Sequence, residues 1–257
     1  MNYKVNIVMA TYNRLESTKK SLPSLIETAS DNIKYMISVV DNGSSDGTPD
    51  YLNQLFNEGK INNLLLLDEN IGVSRAHNIM WKLYDDIDFY NKVDNDMFFK
   101  KKNWINEAIH IYDNSPELGA VGYLCNYQNQ HPVVNNDKVS YRRSIGNIGG
   151  ACFFVSKNIH KKIGFWCEKY ALYGEEDADF CMRLYRSNLS TAYLMDMDVM
   201  ENIPEHWEDY IKFKRESNKH NLSGIFQKNT SEYYNGINIY QDSNELEKYK
   251  NRIKTNI

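Results

Sequence analysis

Asp94 and Asp96 stand two residues apart in VDNDM (93–97). In extended chain, residues i and i+2 project to the same side, so both carboxylates face one volume. Such a pair can hold a divalent cation, directly or through water. Two other polar clusters follow apolar runs, at Thr11 to Arg14 and at Asp41 to Asp46. Each alone is ordinary turn chemistry, because Asn, Asp, Gly and Ser are the usual turn residues. A fourth cluster, GEEDADF (174–180), places Glu175, Glu176 and Asp177 together, where acids favour the start of a helix.

The elements that position these clusters are legible in the first hundred residues. VNIVMA (5–10), MISVVD (36–41), LLLLD (64–68) and Phe89 to Val93 read as strands. Between them lie helical segments: Leu15 to Ala29, with Pro23 kinking it or marking its start; a helix with Thr48 as N-cap and Pro49 at the first helical position; and one carrying Ala76, Ile79, Met80 and Leu83. Unalternated apolar strands separated by helices predict a parallel sheet covered on both faces. Ligands on such sheets bind outside the carboxyl ends of the strands, and the polar clusters fall at those ends. The second half is less regular. Trp104 to Tyr112 reads as a helix, and LGAVGYL (118–124), GACFFVS (150–156) and TAYLMD (191–196) as strands. The acidic cluster opens a helix, and the chain after His220 shows one weak helix near Glu245 to Lys254. A polar stretch from Asn126 to Asn147 contains His131, Arg142 and Arg143.

Composition narrows the function classes. The 257 residues are 42% hydrophobic and 25% charged, which is the make-up of a folded globular chain. The net charge of −4 argues against a broad electrostatic grip on nucleic acid or an anionic membrane. No stretch approaches the roughly 20 apolar residues of a membrane span, and the N-terminus lacks the layout of a secretory signal. Cys125, Cys152, Cys167 and Cys181 form no CxxC pair and read as buried, reduced thiols. Together these predict a cytoplasmic protein without a transmembrane segment, at most peripheral at the inner face of a membrane.

The ordered set ATYNR (10–14), VVDNGSSDGT (ending at Thr48), NIGVSRAHN (70–78), VDNDM, GGACFFVS (149–156) and GEEDADF resembles the family 2 glycosyltransferases of the GT-A fold. The resemblance covers about residues 3–200. It implies an α/β fold with a mixed, mainly parallel sheet flanked by helices. The GT-A domain would occupy 1–220, with a nucleotide-binding part to about residue 100, an acceptor part beyond it, and a C-terminal extension from 221. It also implies inverting transfer of a sugar from a nucleotide-sugar, a UDP-sugar above all, to an acceptor hydroxyl.

Residue by residue, the resemblance puts Thr11, Tyr12, Asn13 and Arg14 around the nucleotide, with Asp41, Asn42, Asp46, Arg75, Asp94 and Asn95 on the donor side. Gly149 and Gly150 would border the donor sugar. Asp96, with Asp94 and His206, would hold Mn²⁺ or Mg²⁺ on the diphosphate. Asp177 would be the general base, with Glu176 orienting the acceptor. Trp166 and Tyr173, flanking the approach to Asp177, are candidate acceptor platforms, since aromatic faces stack on sugar rings. The acceptor class is a glycan or a protein, and cell-surface polysaccharide assembly is the setting the resemblance suggests. Tyr233, Tyr234 and Tyr240 are candidates to cover the acceptor cleft or to pair with a second subunit. The alternative is a non-catalytic carbohydrate- or nucleotide-binding module of the same fold. A nucleotidyltransferase is disfavoured, because ATYNRLE lacks a Gly-rich basic loop.

Overall fold

The computed structural model of the chain describes residues 3–123, 131–170, 172–195, 199–203, 212, 222–236 and 245–256. The first half alternates strand and helix: β1 (Lys4–Thr11), α1 (Leu15–Thr28), β2 (Lys34–Asp41), α2 (Thr48–Asn57), β3 (Asn63–Leu66), α3 (Val73–Trp81) and β4 (Phe89–Asp94). There follow β5 (Met97–Phe99), α4 (Trp104–Asn114), β6 (Leu118–Gly122), β7 (Val133–Asn135), β8 (Ser140–Arg143), β9 (Cys152–Ser156), α5 (Lys157–Ile163), α6 (Glu176–Arg186), β10 (Ser190–Leu194), β11 (Met200–Asn202), α7 (Leu222–Tyr234), α8 (Glu245–Tyr249) and β12 (Lys254–Thr255).

Among the described residues, one mixed sheet runs in the order β12-β3-β2-β1-β4-β9-β6-β10-β8-β7, and β5 pairs with β11 beside it. β3, β2, β1 and β4 are mutually parallel, and β9 is antiparallel to both β4 and β6. The unalternated apolar strands follow from burial on both faces. Ile7, Met9, Val39 and Leu64 pack against α1, α2 and α4, while Val8, Val40 and Leu65 pack against α3, α5 and α6. A buried polar row interrupts this pattern. Asn6 accepts from Ser38, Asn63 donates to Ser38, and Tyr84 donates to Asn63, at 2.7–2.8 Å, so each partner satisfies its neighbour.

Several expectations change. α1 begins at Leu15, so Pro23 lies inside the helix and does not mark its start. The N-cap of α2 is Gly47, in the left-handed region at φ 85°, and Thr48 is the first helical residue. Part of the polar stretch 126–147 forms the β7–β8 hairpin at the sheet edge. The C-terminal stretch holds a helix, α7, that sequence reading missed, and its last residues return to the sheet, where β12 pairs antiparallel with β3. Arg252 bonds Asp68 at 2.9 Å and fastens that return. Cys152, Cys167 and Cys181 are buried free thiols, and Cys125 lies outside the described residues. Among the described residues, no helix is long and apolar enough to cross a membrane.

Candidate functional site

The carboxyl ends of β2, β1 and β4 lie side by side, with Thr11 opposite Asp41 and Ala10 opposite Asp94. β1 has β2 on one side and β4 on the other, so the strand order reverses there and opens a crevice. The strand-end clusters expected from sequence therefore meet at one place. Asp41 is fully buried, and its carboxylate accepts from the Thr11 hydroxyl at 2.8 Å and the Ser44 amide at 2.9 Å. The following turn needs Gly43: its φ is +78°, and a Cβ there would sit 2.8 Å from the Glu69 backbone. Asn13 also adopts the left-handed region, at φ 47°, held by the Ser44 hydroxyl on its amide and by Ser45 N–H on its side-chain oxygen at 2.7 Å. Asn42 is buried, and its Oδ1 has no partner among the described residues.

Asp46 supports the crevice from behind. It accepts from Leu15 N–H at 2.9 Å and from the Thr48 hydroxyl at 2.6 Å, tying together the starts of α1 and α2. Burial works to raise its carboxyl, but these bonds outweigh that and hold it below the usual value.

Asp94 closes β4, and Asp96 lies in the turn to β5. Arg14 crosses the switch point and donates to Asp96 Oδ2 at 2.8 Å. Lys92 donates to Asp94 Oδ1. Burial and the charge on Asp94 raise the Asp96 carboxyl, against the pull of Arg14 and Lys92. These two bonds engage Asp96 Oδ2 and Asp94 Oδ1, the other oxygen of each carboxylate being the one a cation would need. Two adjacent carboxylates fit a hard divalent cation shared with phosphate oxygens. Among the described residues, no group of three His, Cys, Asp or Glu side chains is gathered for a metal, and His206 lies outside them.

The acid pair enters from α6. Gly174 at φ 111° and Glu175 at φ 63° make consecutive left-handed steps that swing Glu176 and Asp177 to the head of the helix. Glu176 is buried and accepts from Gly174 N–H at 2.8 Å. Burial first, then the neighbouring Asp177 charge, push its carboxyl up to about 7, against the pull of Lys92. Asp177 Oδ2 accepts from Gly150 N–H at 3.1 Å, and its Oδ1 from Ala178 N–H at 2.8 Å. Lys92 is a residue of this site that sequence reading missed. It is 2% exposed, donates to the Gly150 carbonyl as well as to Asp94, and sits 5.9 Å from the centre of the Trp166 ring. The available signal was a charged residue within the buried strand FYNKVD.

Other expected residues sort by burial and bonding. Trp166 is 1% exposed and packs on Phe180, Phe153 and Trp81, so the structure corrects its reading as an acceptor platform: its ring offers no face to a sugar. Asn95 is turned inward, donating to the Thr18 hydroxyl at 3.0 Å, so it holds α1 and does not line the crevice. Tyr12 and Tyr173 are half-buried. Arg75, about one-third exposed, lies 3.9 Å from Glu168 and donates to the Ile71 carbonyl. A Cβ on Gly149 would meet open space, whereas one on Gly150 would sit 3.2 Å from Lys92 Nζ. Asp179 is fully buried with Arg183, Tyr170 and Asn229, which packs α6 against α7.

The profile of glycosyl transferase family 2 matches residues 6–186, and the chain belongs to that family. No curated protein matches it by sequence. Among solved structures, it is similar to the mannosyltransferase PcManGT from Pyrobaculum calidifontis in complex with GDP-Man and Mn²⁺ (17% identity, TM-score 0.64, 84% of this chain and 61% of that one). It is also similar to residues 1–349 of TarS from S. aureus (18% identity, TM-score 0.59, 90% of this chain and 71% of that one), which has also been solved with UDP-GlcNAc. A third likeness is to GalNAc-T7 with UDP, GalNAc and Mn²⁺ (9% identity, TM-score 0.62, 78% of this chain and 43% of that one). The chain thus spans less than two thirds of the length of two of the three. These likenesses establish the fold, a mixed α/β sheet of the GT-A kind with helices on both faces.

Proposed function

We propose that the protein is an inverting glycosyltransferase that moves a sugar from a UDP-sugar to an acceptor hydroxyl on a glycan or a protein. The observation that carries this reading is the meeting of two acidic sets at one crevice: Asp94 and Asp96 from the β4 end, and Glu176 and Asp177 from the head of α6, bridged by Gly150. One set suits a divalent cation on a nucleotide diphosphate and the other an acceptor proton. Two of the three similar folds hold uridine nucleotides, which supports UDP, and two hold Mn²⁺, which supports a divalent cation.

In this reading Asp41, set by Thr11 and Ser44, and the unpartnered Asn42 Oδ1 face the base. Arg14 and Arg75 bear on the diphosphate. Asp94 and Asp96 would hold Mn²⁺ or Mg²⁺, with His206 as a further ligand, and the bound ion would supply positive charge against the leaving group. Asp177 takes the acceptor proton as that oxygen bonds to the anomeric carbon and the bond from carbon to the diphosphate breaks, releasing UDP. Glu176, partly protonated near neutrality, orients the acceptor through a hydrogen bond. The open space beside Gly149 leaves room for the donor sugar.

A panel of UDP-glucose, UDP-galactose, UDP-N-acetylglucosamine and GDP-mannose, assayed for slow hydrolysis with and without Mn²⁺, tests this without an acceptor. Turnover of a UDP-sugar that needs Mn²⁺ is expected. No binding and no turnover of any of the four contradicts the proposal.

A further inference from the structure

Lys92 is an unusual residue for its position. It lies in β4, between Asn91 and Val93, in a strand covered on both faces, and is 2% exposed. Withdrawing an ammonium from water is costly, and apolar replacement of a buried ion pair is often neutral or stabilising. Stability alone is therefore a poor reason for a lysine here.

Its contacts point to the site. The ammonium donates to the Asp94 carboxylate on the donor side and to the Gly150 carbonyl. The same glycine donates its N–H to Asp177 Oδ2 at 3.1 Å. A Cβ on Gly150 would lie 3.2 Å from Lys92 Nζ and 3.7 Å from Asp177 Oδ2, so both charged groups close around one backbone position. Glu176 and Asp177 also act on Lys92 through their charge, which makes it a counter-ion shared by carboxylates of both acidic sets.

We propose that Lys92 is a positioning residue for transfer, a buried cation that holds Asp94 and the Gly149–Gly150 turn in one arrangement and, through Gly150, aims Asp177 at the acceptor. This rests on the glycosyltransferase reading above. The donor-side carboxylate Asp94 and the candidate base Asp177 belong to different elements, β4 and α6, and Lys92 bonds the first directly and is linked to the second through Gly150. Asp94 needs only one oxygen for a metal, so Lys92 can keep the other.

The test uses Lys92→Met, which keeps the length and removes the charge. UDP affinity at fixed Mn²⁺, thermal stability, and kcat and KM are measured with whichever of the UDP-sugars the wild type hydrolyses fastest. The expected result is a folded variant that binds UDP–Mn²⁺ as tightly as the wild type or severalfold tighter, since a positive charge has left the neighbourhood of Asp94. Its kcat should fall about 10- to 100-fold at unchanged KM, the scale of a reacting group displaced by about an ångström. Unchanged kcat overturns the proposal, as does parallel loss of stability, UDP binding and turnover, which is the pattern of a purely structural lysine. Should Lys92→Met not fold, Lys92→Gln, which retains a donor for the Gly150 carbonyl, is read in the same way. A wild type that neither binds UDP–Mn²⁺ nor hydrolyses any donor contradicts the glycosyltransferase reading itself, and does so before any variant is made.

Discussion

Lys92 and Asp177 hold one residue from two sides: the lysine ammonium donates to the Gly150 carbonyl, and the aspartate accepts the Gly150 N–H at 3.1 Å. A glycine turn is thereby clamped between β4 and the first turn of α6. The open face of Gly149 beside this clamp is where a donor sugar would lie.

The metal reading makes a direct prediction. Arg14 and Lys92 each bond one oxygen of Asp96 and Asp94, and in that reading the other two oxygens would take the cation. Asp96→Ala should abolish the Mn²⁺-dependent part of UDP binding, measured by calorimetry with and without the ion. Full turnover in EDTA would show that these carboxylates serve another purpose.

Glu176 links stability to pH. Its carboxyl is raised from 4.5 to about 7 in the folded chain. Between those values the folded state holds a proton that the unfolded state has lost, so stability present below pH 4.5 is lost as pH rises through 7. Glu176→Gln removes the titration and can keep the Gly174 bond. It should be more stable than the wild type at pH 8, by about 1–3 kcal/mol, and nearly equal at pH 4. Thermal melts at both values check this, and an equal difference at both contradicts it.

Arg183 and Asp179 form a buried pair at 2.9 Å, with both side chains fully enclosed. Arg183→Met leaves Asp179 as an uncompensated buried charge and should destabilise the protein by about 3–5 kcal/mol. Urea unfolding measures it, and a loss below 1 kcal/mol would show that Tyr170 and Asn229 carry the Asp179 charge alone.

The parallel half of the sheet and its crevice were legible because apolar runs end abruptly in turn residues, and Thr11, Asp41 and Asp94 mark those ends. The head of α6 was legible because three consecutive acids suit a helix N-terminus. Trp166 misled because an aromatic residue near an acid reads equally as a platform or as core, and only its packing on Phe180 decides. Lys92 was hidden because its partners, Asp94 aside, come from distant elements. α7 and β12 were missed because the Asn-, Tyr- and Lys-rich tail carries a weak apolar period, and β12 is defined by its partner β3.

Asp177→Asn tests the central claim most directly. Asn is nearly isosteric and its single oxygen can still accept one of the Gly150 and Ala178 amides, but it cannot take the acceptor proton. UDP–Mn²⁺ affinity and kcat on the preferred UDP-sugar are measured for the wild type and the variant side by side. The account predicts unchanged affinity and a kcat lower by roughly 10²–10⁴, the scale of a lost general base. Near-normal turnover in a well-folded Asp177→Asn protein would contradict it.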